Sequence, residues 1–167
     1  PAAATDALYL WKAASLPFVR HADGRDVADN GYLFRTEDGG DSWQAIEFES
    51  FSSNLNSITF HNGTGVITTD RGGVITSFDA GKTWKLMGLE ATGRIPRLVI
   101  HPTNPDIVLV CALGHSYGPQ KERGVFRTTD GGTTWQHVLS VDEDTGCSDL
   151  AMDPKNPRNV FAGTWQS

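Results

Sequence analysis

The side chains best suited to chemistry fall in three short stretches. Ala112 to Gly124 (ALGHSYGPQKERG) carries His115, Tyr117, Glu122 and Arg123. Ser140 to Ser148 (SVDEDTGCS) carries Asp142, Glu143 and Asp144, and Leu89 to Arg97 (LEATGRIPR) carries Glu90, Arg94 and Arg97. Glycoside hydrolysis would need two carboxyl groups flanking one bond, roughly 5–10 Å apart. Glu122, Asp142 and Asp144 are the candidates, with Glu143 beside them, but no spacing in the sequence pairs two of them across a cleft. The milder chemistry is binding. His115, Tyr117, Arg94, Arg123 and Glu143 together offer an aromatic surface, a cation and acceptors to a peptide, a protein or a glycan. The plain alternative is a solvated rim whose salt bridges are each worth little, with Arg94 held by a loop carboxylate such as Asp142 or Asp144.

Other motifs carry less. Asp142 to Gly146 has the look of a calcium loop, but the glycine stands at position five rather than six and position twelve is Asp153 rather than Glu. No metal site and no cofactor are expected. Cys111 and Cys147 are the two cysteines. They read as small buried residues; a disulfide between neighbouring units is the alternative, and two cysteines are too few for zinc. Asn62-Gly63-Thr64 is a glycosylation sequon, which has meaning only in a secretory eukaryotic setting.

The elements that must position these groups announce themselves by repetition. TEDGGDSW (Thr36 to Trp43), SFDAGKTW (Ser77 to Trp84) and TTDGGTTW (Thr128 to Trp135) are copies of one phrase, Ser/Thr-x-Asp-x-Gly-x-Ser/Thr-Trp. A phrase recurring at this period marks an array of similar units. Aspartate two residues before glycine is a turn signal, because the carboxylate accepts nearby backbone N–H groups. Gly40, Gly81 and Gly132 suit the positive-φ position. Asp38, Asp79 and Asp130 are therefore turn-makers before they are catalytic candidates. Trp43, Trp84 and Trp135 open the next strand, where an indole covers the hairpin and fills space between units.

Around each phrase the sequence spells four short strands, A to D, with the phrase at the C–D turn. Strand A begins near residues 57, 97 and 149. HPTNP (His101 to Pro105) and DPKNP (Asp153 to Pro157) are A–B turns, since Asn-Pro starts turns and X-Pro leaves helix. Ala7 to Trp11 and Leu16 to Arg20 are expected as strands A and B of the first unit. The expectation is an all-β chain: a β-propeller segment of four-stranded antiparallel blades, about three and a half of them, over residues 7–48, 57–88, 97–140 and a half blade at 148–165. A–B and C–D turns then share one face. The three chemistry-bearing stretches are B–C and D–A links on the other, and loops on a rigid scaffold are where function usually sits.

Composition sets limits. At 38% hydrophobic and with 18 glycines, the chain is a folded, turn-rich domain. Its net charge of −6 argues against a nucleic-acid surface. No apolar run is long enough for a membrane span.

The repeated phrase resembles the Asp-box, or BNR repeat, of sialidases, sortilin-type receptor domains and xyloglucan-cleaving propellers. The likeness is strongest from about Gly73 onward, to a group labelled sortilin-like or glycosyl-hydrolase-like; residues 30–72 match it less well and residues 1–29 match little. The resemblance implies a β-propeller with any active site on the face away from the Asp-boxes, and it favours an extracytoplasmic or secreted setting. Arg94-Ile95-Pro96 is similar to the Arg-Ile-Pro signature of sialidases, but it follows the second Asp-box where theirs precedes the first. Propellers of this kind close with six or more blades. Three and a half leave open sheet edges, which invite pairing, so ring closure by self-association or by another propeller segment is expected. The preferred reading is a non-catalytic binding or assembly module. The alternatives are a sialidase- or xyloglucanase-like glycoside hydrolase, or part of one, and a purely structural oligomerising arc.

Overall fold

The computed structural model describes residues 9–12, 32–46 and 53–166. The chain divides into two compact units, Pro1–Leu55 and Asn56–Ser167. The first holds a three-stranded sheet of β1 (Tyr9–Lys12), β2 (Tyr32–Arg35) and β3 (Gln44–Ile46), paired in that order. Here one expectation changes. The segment taken for strand A pairs antiparallel with β2, Tyr9 opposite Arg35 and Lys12 opposite Tyr32. It therefore occupies the edge that the sequence assigned to strand B. The segment proposed for B, Leu16 to Arg20, lies outside the described residues.

The second unit is built from antiparallel sheets. β4 (Leu55–His61), β5 (Thr64–Thr69), β6 (Val74–Ser77) and β7 (Lys85–Leu86) form one, and β8 (Arg97–Ile100), β9 (Val108–Ala112), β10 (Gly124–Thr128) and β11 (Gln136–Leu139) the next. β12 (Thr145–Met152) and β13 (Val160–Gln166) form a two-stranded sheet, the expected half blade. One short 3-10 turn, Glu90–Thr92, is the only helical element among the described residues. This is the all-β, four-strands-per-unit architecture that the repeats predict.

β9 explains how the sheets stack. Its five residues, VLVCA, are all buried. Val108, Val110 and Ala112 join Val66 and Val74 of the preceding sheet, with Ile95, Leu98 and Phe126, in one cluster. Leu109 and Cys111 face the other way and join Val125, Cys147 and Leu150. A strand covered on both faces reads as a continuous apolar run rather than an alternation. Cys111 and Cys147 are disulfide-bonded, with Cα atoms 5.0 Å apart. This corrects the reading of two independent buried thiols. The stacking of β12 on β9 brings the facing Cβ positions within bridging range.

The three Asp-Gly corners share one hydrogen-bond network. The hydroxyls of Thr36, Ser77 and Thr128 donate to Oδ1 of Asp38, Asp79 and Asp130 at 2.7, 2.8 and 2.7 Å. The same hydroxyl oxygens accept the N–H groups of Gly40, Gly81 and Gly132 at 2.9, 2.8 and 2.9 Å. Oδ1 also accepts the N–H of Ser42, Thr83 or Thr134, whose hydroxyls donate to Oδ2. Two successive residues in each corner have positive φ, for example Gly131 at 70° and Gly132 at 97°, which glycine adopts without steric penalty. The indoles differ. Trp43 and Trp84 donate to the carbonyl of their own corner glycine. Trp135 donates instead to Met87 O at 2.7 Å, so it ties its sheet to the one before.

Two outcomes follow from these bonds. The hydroxyl and N–H donors pull Asp79 and Asp130 down to about 2, from 3.8, and hold Asp38 lower still. A carboxyl with a depressed folded-state pKa stabilises the fold fully above its unfolded value and loses that contribution as pH falls. The melting temperature is therefore expected to drop as pH falls from about 4 to 2. Asp130→Asn should start lower at pH 5 and fall less steeply through that window; parallel curves would show that the corner does not titrate. For the disulfide, closing a 36-residue separation constrains the unfolded chain by about 4 kcal/mol. Cys147→Ser, or reduction, should lower the urea-unfolding free energy by roughly 2–4 kcal/mol.

Candidate ligand-binding face

Strand direction sorts the links of the second unit onto two ends. At one end the Gly131 N–H donates to Asp106 O at 3.0 Å, joining the last corner to the HPTNP turn. That turn is closed by His101, whose Nδ1 accepts the N–H groups of Thr103 and Asn104; Asp153 does the same for Lys155 in the half blade. At the other end lie the B–C and D–A links. Gly73 N–H donates to Leu89 O at 2.8 Å, Arg94 N–H to Gly114 O at 3.2 Å, Leu113 N–H to Arg94 O at 2.9 Å and Gln120 N–H to Glu143 O at 2.8 Å. The stretches around Arg94, His115 and Glu143 are thus neighbours, as strand order alone required.

The long link between β9 and β10 is wrapped around two of its own side chains. Arg123 is 1% exposed. Its guanidinium donates to the carbonyls of Leu113 at 2.7 Å, His115 at 3.0 Å and Gly118 at 3.1 Å. Gln120, also buried, accepts the His115 N–H at 2.7 Å and donates to Ala91 O. Gly114 has φ 94°, and a Cβ there would lie 2.7 Å from Arg123 Cγ, so the packing depends on its lack of a side chain. Arg123 was grouped with the ligand-facing residues; the structure corrects this. A cation inside the loop replaces the backbone hydrogen bonds that an irregular segment lacks, and its guanidinium is not displayed.

Asp142 is a builder of its loop too. Its Oδ1 accepts the N–H groups of Asp144 and Thr145 at 3.0 and 2.6 Å. The Thr145 side chain, these N–H groups and the nearby Arg123 charge hold its carboxyl below the usual range. A general acid needs the opposite shift. Arg94 makes no ion pair among the described residues, with Asp142, Asp144 or any other; the pair formed there is Arg97 with Asp149, 2.9 Å apart on the surface.

What remains on display is distinct. Tyr117 is 93% exposed at the tip of the long link. Arg94, His115, Glu143 and Asp144 are exposed and Glu122 is half-buried. Their side chains have no hydrogen-bond partners among the described residues, although the backbone beneath Arg94, His115 and Glu143 is fixed. No group of three or more His, Cys, Asp or Glu residues is arranged to hold a metal among the described residues. Two kinds of residue escaped sequence reasoning. Gln120 sits in a polar loop with no pattern to mark it. The first hydroxyl of each corner was visible as a repeated Ser/Thr, but nothing in the spacing showed that it joins the aspartate to the glycine.

Residues 31–162 match the family model described as sortilin, neurotensin receptor 3 (Sortilin-Vps10). No curated protein matches the chain by sequence. Among solved structures, an ancestral GH74 enzyme superposes with a TM-score of 0.62 at 17% identity, over 80% of this chain and 20% of that one. The GH74 xyloglucanase from Xanthomonas campestris does so with 0.60 at 15% identity, over 87% and 23%. YCF48 bound to a D1 peptide does so with 0.58 at 18% identity, over 96% and 55%. The chain thus spans between a fifth and about half of these structures, and likeness at such identity establishes the β-propeller fold.

Arg123→Met keeps much of the aliphatic stem but leaves three loop carbonyls without their donor. Denaturant unfolding should register a loss of roughly 3 kcal/mol, the order expected when several buried polar groups lose one shared partner. A loss under about 0.5 kcal/mol, the range of an ordinary surface substitution, would mean that water replaces the guanidinium.

Proposed function

The chain belongs to the sortilin, neurotensin receptor 3 (Sortilin-Vps10) family, and we propose that it is a non-catalytic binding module for a peptide held on the loop end. The observation that carries this reading is the division of labour on that end. Arg123, Gln120 and the Asp142 carboxylate are occupied in holding the loops, which leaves Tyr117 outward at the tip of the long link and His115, Arg94 and Glu143 outward on fixed backbone. Aromatic and guanidinium groups on a preformed backbone are the usual anchors of recognition. A mixed set of one cation, one aromatic and several acceptors suits the alternating donors and acceptors of a peptide. The solved YCF48 structure with a D1 peptide bound supports peptide recognition on this fold. The buried disulfide supports an extracytoplasmic setting, where such bonds persist.

A specific observation favours a second reading. GH74 enzymes are among the structural neighbours, one of them a xyloglucanase, so the chain would be part of a glycoside hydrolase. Against it, the depressed Asp142 carboxyl is unsuited to donating a proton to a leaving group. Assembly belongs to the proposal too. Across β12, the face with Leu150 packs on the preceding sheet. Phe161 and Trp165 of β13 are 70% and 63% exposed. They lie on the strand's other face, paired in register with Ala151 and Gly146. A further blade, from a second copy or another propeller segment, would cover them.

Selection of a displayed random-peptide library against the chain is the test. Enriched peptides should bind the wild type and lose about tenfold to a hundredfold in affinity to Tyr117→Ala or Arg94→Ala, the range of aromatic and arginine anchors. Retained affinity in both variants would move the site elsewhere. Release of reducing sugar from xyloglucan that disappears in Asp142→Asn would establish the hydrolase instead.

A further inference from the structure

We propose that Gln120 is a positioning residue that joins three separate links into one preformed surface, so that the loop end opens and closes as a unit rather than loop by loop. Each of the three links contributes one backbone group to Gln120. Its Oε1 accepts the His115 N–H at 2.7 Å, within the long link. Its Nε2 donates to Ala91 O, in the link that precedes β8. Its own N–H donates to Glu143 O at 2.8 Å, in the link that precedes β12. The side chain is 8% exposed. A buried carboxamide left without either partner is penalised as an unsatisfied polar group, so the three bonds favour one arrangement of the links and disfavour partial openings.

The neighbouring contacts make the arrangement cooperative. Arg123 holds the carbonyls of Leu113, His115 and Gly118, and so both backbone groups of His115 are fixed, its N–H by Gln120 and its carbonyl by Arg123. The Arg94 and Gly114 segments exchange backbone bonds. Gly146 lies so close to Leu113 O that a Cβ would approach within 2.1 Å. Arg94, His115 and Glu143 therefore ride on backbone that meets at one residue, Gln120, through its carboxamide and its own N–H. Gln120 would influence a ligand only through them. In that sense the inference rests on the binding reading, but its test uses no ligand and can fail while that reading stands.

Amide hydrogen exchange of the whole chain decides it. In Gln120→Ala the amides of Arg94, Leu113, His115 and residue 120 should accelerate together by at least about tenfold, the change expected when local opening loses buried hydrogen bonds. The amides of β9 and β10 should keep their wild-type rates. Acceleration at His115 alone would overturn the proposal. If Gln120→Ala loosens the strands as well, Gln120→Glu decides. It keeps the acceptor for His115 but loses the donor to Ala91. Thr92, Arg94 and His115 should then accelerate together, and acceleration at Thr92 and Arg94 with His115 still protected would overturn the proposal.

Discussion

A short hydrogen-bond circuit recurs at every corner, and the architecture depends on it. One hydroxyl donates to an aspartate and accepts a glycine N–H; the aspartate in turn accepts a backbone N–H and a second hydroxyl two residues beyond the glycine. A single acidic side chain thereby satisfies the donors of a turn too tight for backbone pairing. The circuit works only with the carboxyl ionised, which is why its donors depress the pKa. It also consumes the aspartate. The corner end of each sheet carries conspicuous acids and has no free chemistry in them.

That consumption directs the proposed binding role to the opposite end, by elimination of groups rather than by likeness. The opposite end needs irregular links, and irregular backbone needs donors from side chains. In the longest link the donor is a buried guanidinium with three carbonyl acceptors. Burying a cation without a contacting carboxylate is unfavourable unless its hydrogen bonds are nearly all made. Arg123 makes three through its terminal nitrogens while its buried Nε has no partner, and the nearby Asp142 charge compensates in part. Such a loop is held in one conformation, a condition for displaying Tyr117 and His115 without a large ordering penalty on binding.

The fold was legible because its signals are local and repeated. Asp79 and Gly81 stand two apart in one turn, and their pattern recurs at Asp38 and Asp130. The strand count and the common end of the candidate links follow from that spacing. The first sheet was less legible: which strand borders β2 is a matter of long-range pairing, and Tyr9 to Lys12 carries no mark of its partner. The disulfide was open for the same reason, since only the stacking of β9 on β12 brings Cys111 to Cys147. Within the site, charge misled. Arg123 and Glu122 are adjacent and equally polar in sequence, yet the first is buried and the second half-buried. What separates them is the pleat: Arg123 immediately precedes the buried strand β10, and its side chain returns beneath the loop to reach Leu113, ten residues earlier.

The same facts bear on binding against hydrolysis. Retaining and inverting glycosidases both require one carboxyl kept protonated until it donates, which burial or a like charge must enforce. Asp142 has the reverse environment: hydrogen-bond donors, a nearby cation and solvent. Glu143 and Asp144 are exposed beside it. A binding surface makes no such demand. It needs fixed backbone, an aromatic plane and uncommitted polar groups, and the loop end of the second unit holds all three within one hydrogen-bonded cluster of links.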